Sequence, residues 1–189
     1  LEADLARRDF TINAMALDLV AGELIDLHHG QEDLASGQIR FLHPGSVQDD
    51  PTRVIRAARY AARLGFELAK ESREQIRSTM QQWPWAWGQG DAALNAPPAL
   101  ASRLRMELER LLEREPWPQA LDLLEQWQAL PLLDAQLQRD PGRTQRLHWA
   151  RRLGLPLMPA LLAGAADPVA LAERLQIPGK QQQWLNQCG

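Results

Sequence analysis

Four arginines recur at three- and four-residue intervals in one short stretch, Asp49-Asp50-Pro51-Thr52-Arg53-Val54-Ile55-Arg56-Ala57-Ala58-Arg59-Tyr60-Ala61-Ala62-Arg63-Leu64-Gly65-Phe66. On a helix, that spacing sets Arg53, Arg56, Arg59 and Arg63 along one face. The acids at its start open a sharper possibility. An ionised carboxylate only accepts hydrogen bonds, and a guanidinium only donates them. Asp50 beside Arg53 would offer a nucleobase an acceptor next to a donor. Adenine and cytosine present an amine beside a bare ring nitrogen and match that order; guanine and uracil present the reverse. Each well-made bidentate contact is worth about 1–3 kcal/mol of discrimination. Arg56 and Arg59, one and two turns along, could then neutralise a triphosphate. The plainer reading of the same residues is a solvated basic helix face, with Asp50 capping the N–H of Thr52 or Arg53.

A second constellation precedes it, Arg7-Arg8-Asp9-Phe10-Thr11-Ile12-Asn13-Ala14. Here Asp9 could accept hydrogen bonds from ribose hydroxyls, and Arg8 could hold phosphate oxygens bidentately. The alternative is a turn in which Asp9 caps the backbone N–H of Thr11 or Ile12. Other candidates carry less. Adjacent His28 and His29 point to opposite sides of an extended segment and have no ligand at a supporting spacing. Trp83, Trp85 and Trp87 could stack on bases, but they read more simply as anchors pinning a loop. Ser102 and Cys188 lack the neighbours of a nucleophile. A glycine-rich phosphate loop and a spaced acidic pair on a strand, which nucleotidyl transfer needs to hold metal, are both absent from the sequence, so it supplies no catalytic and no metal residue.

Composition frames these motifs. With 189 residues, 45% hydrophobic and 24% charged, the chain can bury a core. Its net charge of −3 hides a gradient. Residues 1–49 hold three arginines against nine acids, whereas residues 50–114 hold eleven basic residues against eight acids. An anionic partner therefore belongs in the middle. A single cysteine excludes an internal disulfide and fits a reducing compartment. No apolar run approaches the roughly 20 residues of a membrane span. The cytoplasm is the expected setting, with no membrane partner; nothing in the sequence sets an oligomeric state.

The elements that must position these residues follow from periodicity. Residues 14–19 and 23–27 read as a hairpin turning at Gly22, residues 31–36 as a helical turn, and residues 38–42 as a third short strand. Such strands need other elements to cover them. From Asp50 onward the pattern is helical throughout. Pro51 suits a first turn and Gly65 a C-terminal stop. Further helices are expected at 70–82, 99–114, 116–127, 143–153, 157–165, 167–175 and 180–187, with a loop over 83–97. Leu100, Leu104, Leu108, Leu111 and Leu112, then Trp117, Leu121, Leu124 and Trp127, supply apolar faces.

Taken in order, the Arg7–Ala14 motif, the Gly22-Glu23-Leu24-Ile25-Asp26 turn with Gly30, and Asp49-Asp50-Pro51-Thr52-Arg53 resemble the bacterial class II tRNA nucleotidyltransferases. These comprise CCA-, CC- and A-adding enzymes and the bacterial poly(A) polymerases. The likeness covers residues 4–114 well and the remainder as a variable helical body. It implies a mainly α fold: residues 1–48 ending a polymerase-β-like head, 49–115 a helical neck that selects the base, and 116–189 a helical body facing tRNA. It implies template-independent addition of C and/or A to the tRNA 3′ end, with tRNA and ATP and/or CTP as partners. The alternatives are a poly(A) polymerase or a non-catalytic RNA-binding module. Nucleotide contacts are implied for Arg8, Asp50, Arg53, Arg56 and Arg59, with Asp9 near the ribose. Arg103, Glu107 and Arg110 resemble a helix bracing the neck. In relatives the first acid of the base-reading motif is Glu, and Asp49, one methylene shorter, should support Arg53 less firmly. The metal-binding carboxylates, for Mg2+, precede the first motif in the family. The chain, beginning at Leu1, thus reads as an N-terminally truncated enzyme expected to be inactive alone.

Overall fold

Proline and glycine set the limits of the arginine-rich helix. In the computed structural model, which describes residues 1–82 and 99–188, Pro51 leads into helix α4 (Thr52–Leu64), and Gly65 ends it in the left-handed region at φ 68°. Only glycine takes that conformation without steric cost. The tryptophan stretch read as a loop over 83–97 lies outside the described residues.

Before α4 come a one-turn helix α1 (Glu2–Leu5), a 3-10 turn (Thr11–Asn13), and strands β1 (Met15–Leu17) and β2 (Leu24–Asp26). The strands pair antiparallel as the expected hairpin, Met15 opposite Asp26. Helix α2 (Gly30–Ser36), strand β3 (Gln38–Ile39) and helix α3 (Ser46–Asp49) follow. After α4 come strand β4 (Glu67–Leu68) and helices α5 (Lys70–Gln82), α6 (Leu100–Arg114) and α7 (Trp117–Gln126). Two 3-10 turns, Leu130–Leu132 and Ala135–Arg139, lead to α8 (Arg143–Arg152), α9 (Leu157–Leu162), α10 (Pro168–Arg174) and α11 (Gly179–Cys188). The fold is mainly α, as expected.

Three local expectations are corrected. Helical pattern after Asp50 is broken by β4, which pairs parallel with β3; two residues are too few to show a period. The strand expected over 38–42 is reduced to Gln38–Ile39, because residues 40–42 turn to a different partner: Phe41 makes an isolated antiparallel bridge with Phe10, and its N–H donates to the Ser72 hydroxyl on α5 at 2.9 Å. The helix expected over 157–165 ends at Leu162.

Residues from all three expected segments, 1–48, 49–115 and 116–189, form one buried apolar cluster running from Phe10 to Leu185. The inner face of α4 brings Val54, Ile55, Ala57, Ala58 and Ala61 into it, while Leu64 near its end is exposed. Those alanines let α6 and α7 lie close against α4. Leu100, Leu104, Leu108, Leu111 and Leu112 of α6, and Trp117, Leu121, Leu124 and Trp127 at α7, are all buried there. At the other end, the Phe10 ring stacks on Phe41 at 5.6 Å and meets the Tyr60 ring edge-on at 5.5 Å. Those contacts dock the Arg8-Asp9 turn against α4.

Candidate nucleotide-binding site

The turn that carries Arg8 and Asp9 is built by the hairpin beneath it. Asp26, at the end of β2, accepts the backbone N–H groups of Gly30 at 2.8 Å and Gln31 at 2.9 Å, capping α2. Burial alone would raise the Asp26 carboxyl, but these N–H bonds and that of His28 outweigh it and hold it below its ordinary value. The α2 backbone then lies flush against the turn: a Cβ at Gly30 would sit 2.3 Å from the Thr11 carbonyl oxygen. Buried Asp33 accepts the Thr11 hydroxyl at 2.7 Å and the Arg40 Nε at 3.0 Å. Asn13 accepts the Phe10 N–H at 3.1 Å.

So held, the Asp9 carboxylate faces α4 and joins two arginines. Arg53 Nε donates to Oδ1 at 3.1 Å, and Arg56 Nη2 is paired with Oδ2. This replaces the capped-turn alternative, in which Asp9 would serve backbone N–H groups. Arg53 Nη1 also donates to the Ser46 carbonyl at 3.0 Å, leaving its Nη2 hydrogens unused. Asp50 lies one turn earlier but does not pair with the Arg53 side chain. Its Oδ1 accepts the Thr52 N–H at 3.1 Å and the Thr52 hydroxyl at 2.6 Å. Its Oδ2 is bonded by Arg103 Nη2 of α6. The cap expected of Asp50 is thus present, on Thr52. Asp49 is exposed, its carboxylate 3.8 Å from His43 Nε2, and the side-chain partners of Arg53 are Asp9 and the Ser46 carbonyl instead.

The four-arginine face divides at its middle. Arg53 and Arg56 meet Asp9, whereas Arg59 meets Glu107 and Glu115 and Arg63 meets Glu115. Arg59 donates to Glu115 Oε1 from Nε at 3.2 Å and Nη2 at 3.0 Å, and from Nη1 to Glu107. Arg63 Nε donates to Glu115 Oε2 at 2.8 Å, and Arg110 Nη1 to Glu107 Oε1 at 2.7 Å. Burial would raise the Glu115 carboxyl, yet hydrogen bonds from Arg63 and Arg59 outweigh it and hold it low. Arg59 was expected on a triphosphate; each of its three guanidinium nitrogens donates to a buried carboxylate, and it ties α4 to α6. Arg8 remains available: its guanidinium pairs with Asp4 at 2.6 Å on the surface and its side chain is half exposed. Such exposed pairs exchange readily.

A site of alternating fixed acids and arginines on a helix tip, next to an open Arg8, can bind an anion and read a polar edge beside it. Known proteins resemble the chain in the same regions. The Poly A polymerase head domain model matches residues 1–40. A multifunctional CCA protein of Neisseria gonorrhoeae is 36% identical over 177 residues, covering 92% of this chain and 40% of that protein. A CC-adding tRNA nucleotidyltransferase of Deinococcus radiodurans is 35% identical over 192 residues, covering 94% and 44%. The solved structure of a tRNA-processing enzyme with CTP superposes with a TM-score of 0.70 at 28% identity, over 96% of this chain and 52% of that one. That of a CCA-adding enzyme with CTP does so at 0.73 and 25%, over 98% and 46%. The chain belongs to the class II tRNA nucleotidyltransferase family.

It spans about two fifths of the length of the curated family members it matches and about half of the solved ones. The divalent metal of such transferases finds no home in the residues described. No group of three His, Cys, Asp or Glu among the described residues is placed to hold one. The two acids nearest the family motifs, Asp9 and Asp50, are each already neutralised by a guanidinium, which repels a cation. His28 and His29 do not converge on one. Of two further working residues, the sequence marks Arg103 only as part of a bracing helix and Glu115 not at all. The pairing of Arg103 with Asp50 spans 53 positions, and only the resemblance of 102–112 to the family's bracing helix marked that region. Glu115 was missed altogether, although an acid immediately before Pro116 was a signal of a fixed, non-helical position.

Proposed function

We propose that the protein containing this chain adds C and/or A to the 3′ end of tRNA without a nucleic-acid template, in the cytoplasm, and that Asp50 and Arg53 choose the base. What supports this is the separate anchoring of those two side chains at the start of α4. Asp50 keeps one lone pair on Oδ2, and Arg53 keeps both Nη2 hydrogens. Together they present an acceptor and a donor held rigidly enough to distinguish adenine and cytosine from guanine and uracil. Arg8 and Arg56, the less buried cations beside Asp9, hold the phosphates, and Asp9 positions the ribose through the arginines it orders. The Mg2+ used in the transfer is in this reading bound outside the chain. Residues 1–48 finish the head, 49–115 select the nucleotide, and 116–189 face tRNA. The relatives fit the reading: solved family members carry CTP or ATP, and one is complexed with a primer tRNA and an ATP analogue.

The deciding experiment is nucleotide choice in the full-length protein. Asp50→Ala or Arg53→Ala should lower the preference for ATP and CTP over GTP and UTP by about one to two orders of magnitude. Unchanged selectivity in both variants would sink the assignment. The description of the matching head model favours one second reading, a poly(A) polymerase. Extension of a generic RNA primer as efficient as that of tRNA ending in C-C would establish it.

A further inference from the structure

The Asp50 carboxylate can read a base only if its plane is fixed. An ionised carboxylate offers about four lone-pair positions. Thr52 occupies both on Oδ1, through its N–H and its hydroxyl. Those two donors belong to one residue and bind one oxygen, so by themselves they leave the group free to swing about that oxygen. Arg103 supplies the second point of attachment. It reaches across from α6, a different helix, and donates to Oδ2. The side chain of Asp50 is 12% exposed, whereas that of Arg103 is 44% exposed. The charge thus comes from the solvent side onto an acid at the rim of the core. Arg53, the other reader, is fixed in the same manner at two points, by Asp9 and the Ser46 carbonyl. Each reader is held by a group from another element, and each retains one free edge.

We propose that Arg103 is a specificity-determining positioning residue, which aims the one remaining lone pair of Asp50 at the exocyclic amine of the incoming nucleobase. The inference rests on the base-reading role proposed above for Asp50. Arg103 touches no reacting atom. It acts through the carboxylate, and its loss lets Oδ2 turn away from the edge that distinguishes an amine from a carbonyl. A purely mechanical brace between α4 and α6 is the competing role, since Glu107 on the same helix serves in that way.

The test uses the full-length protein on a tRNA primer, with kcat/KM measured for ATP, CTP, GTP and UTP beside the melting temperature. Arg103→Gln should reduce the preference for ATP and CTP by about tenfold, through better use of GTP and UTP as much as poorer use of ATP. Asp50→Asn should do the same, and the double variant should be no less selective than Asp50→Asn alone, because both changes act through one carboxylate. Equal losses of kcat/KM for all four nucleotides in Arg103→Gln, with selectivity intact while Asp50→Asn loses it, would show a brace alone and overturn the proposal without touching the role of Asp50. Unchanged selectivity in Asp50→Asn would overturn the base-reading assignment and this inference with it. If Arg103→Gln does not fold, Arg103→Met, which keeps the aliphatic stem, is read by the same two outcomes.

Discussion

Glu115 shows how much a single carboxylate can bear. Nearly all of it is buried, and two arginines from α4 close on it. Its carboxyl sits below the ordinary value because the hydrogen bonds from Arg63 and Arg59 outweigh burial. A carboxyl lowered in the folded state stabilises the fold above its unfolded value, and that stability is lost as pH falls through the folded one. Stability should therefore decline as pH drops below about 4.5, and Glu115→Gln should flatten that decline relative to the parent. Urea titrations at several pH values between neutrality and acid measure it. At pH 7, Glu115→Ala, which leaves Arg59 with Glu107 as its remaining carboxylate and Arg63 to the solvent, should cost about 1–3 kcal/mol. Spacing made Arg53, Arg56, Arg59 and Arg63 visible as a set. It could not divide them, because the acids that do so lie 44 to 56 positions away. Phosphate and carboxylate look alike to a guanidinium, so a sequence that shows only the arginine cannot say which one it meets.

Among elements, the hairpin and the helix start were legible, and the joints between them were not. Alternation, Gly22 and the Asp50-Pro51 start are local signals, and the structure follows them. The pairing of β3 with β4 and the seating of α2 on the Arg8-Asp9 turn depend on partners distant in sequence. Gly30 marks the second joint. Its Cβ position is 2.3 Å from a backbone carbonyl, which cannot rotate aside as a side chain could. Gly30→Ala should therefore push α2 off the turn and cost about 1–3 kcal/mol. It should also weaken ATP and CTP binding, because Asp9 orders Arg53 and Arg56 from that turn. Thermal melting and nucleotide titration of the same variant report the two effects; a lower melting point with unchanged affinity would show that the turn keeps its place without α2.

At the scale of the molecule, the expected segments 1–48, 49–115 and 116–189 share one apolar cluster. Composition could hint at functional segments, since the charge changes sign near residue 50, but charge lies on surfaces and cores do not follow it. One consequence is measurable. Leu121 on α7 is buried against the neck, and Leu121→Ala should cost about 2–5 kcal/mol. Hydrogen exchange should then quicken in α4 as well as in α7. Exchange confined to residues 116–189 would mean that the body opens on its own.

Arg103 and Glu107 stand one turn apart on α6, the first bonded to Asp50 and the second to Arg59. A shift of that helix by a fraction of a turn disturbs both. If Asp50 reads the base, accuracy and rigidity in this protein are one mechanical property. Warming should then blur the choice of nucleotide before the fold melts, and variants selected for heat resistance along α6 should emerge as more selective among nucleotides.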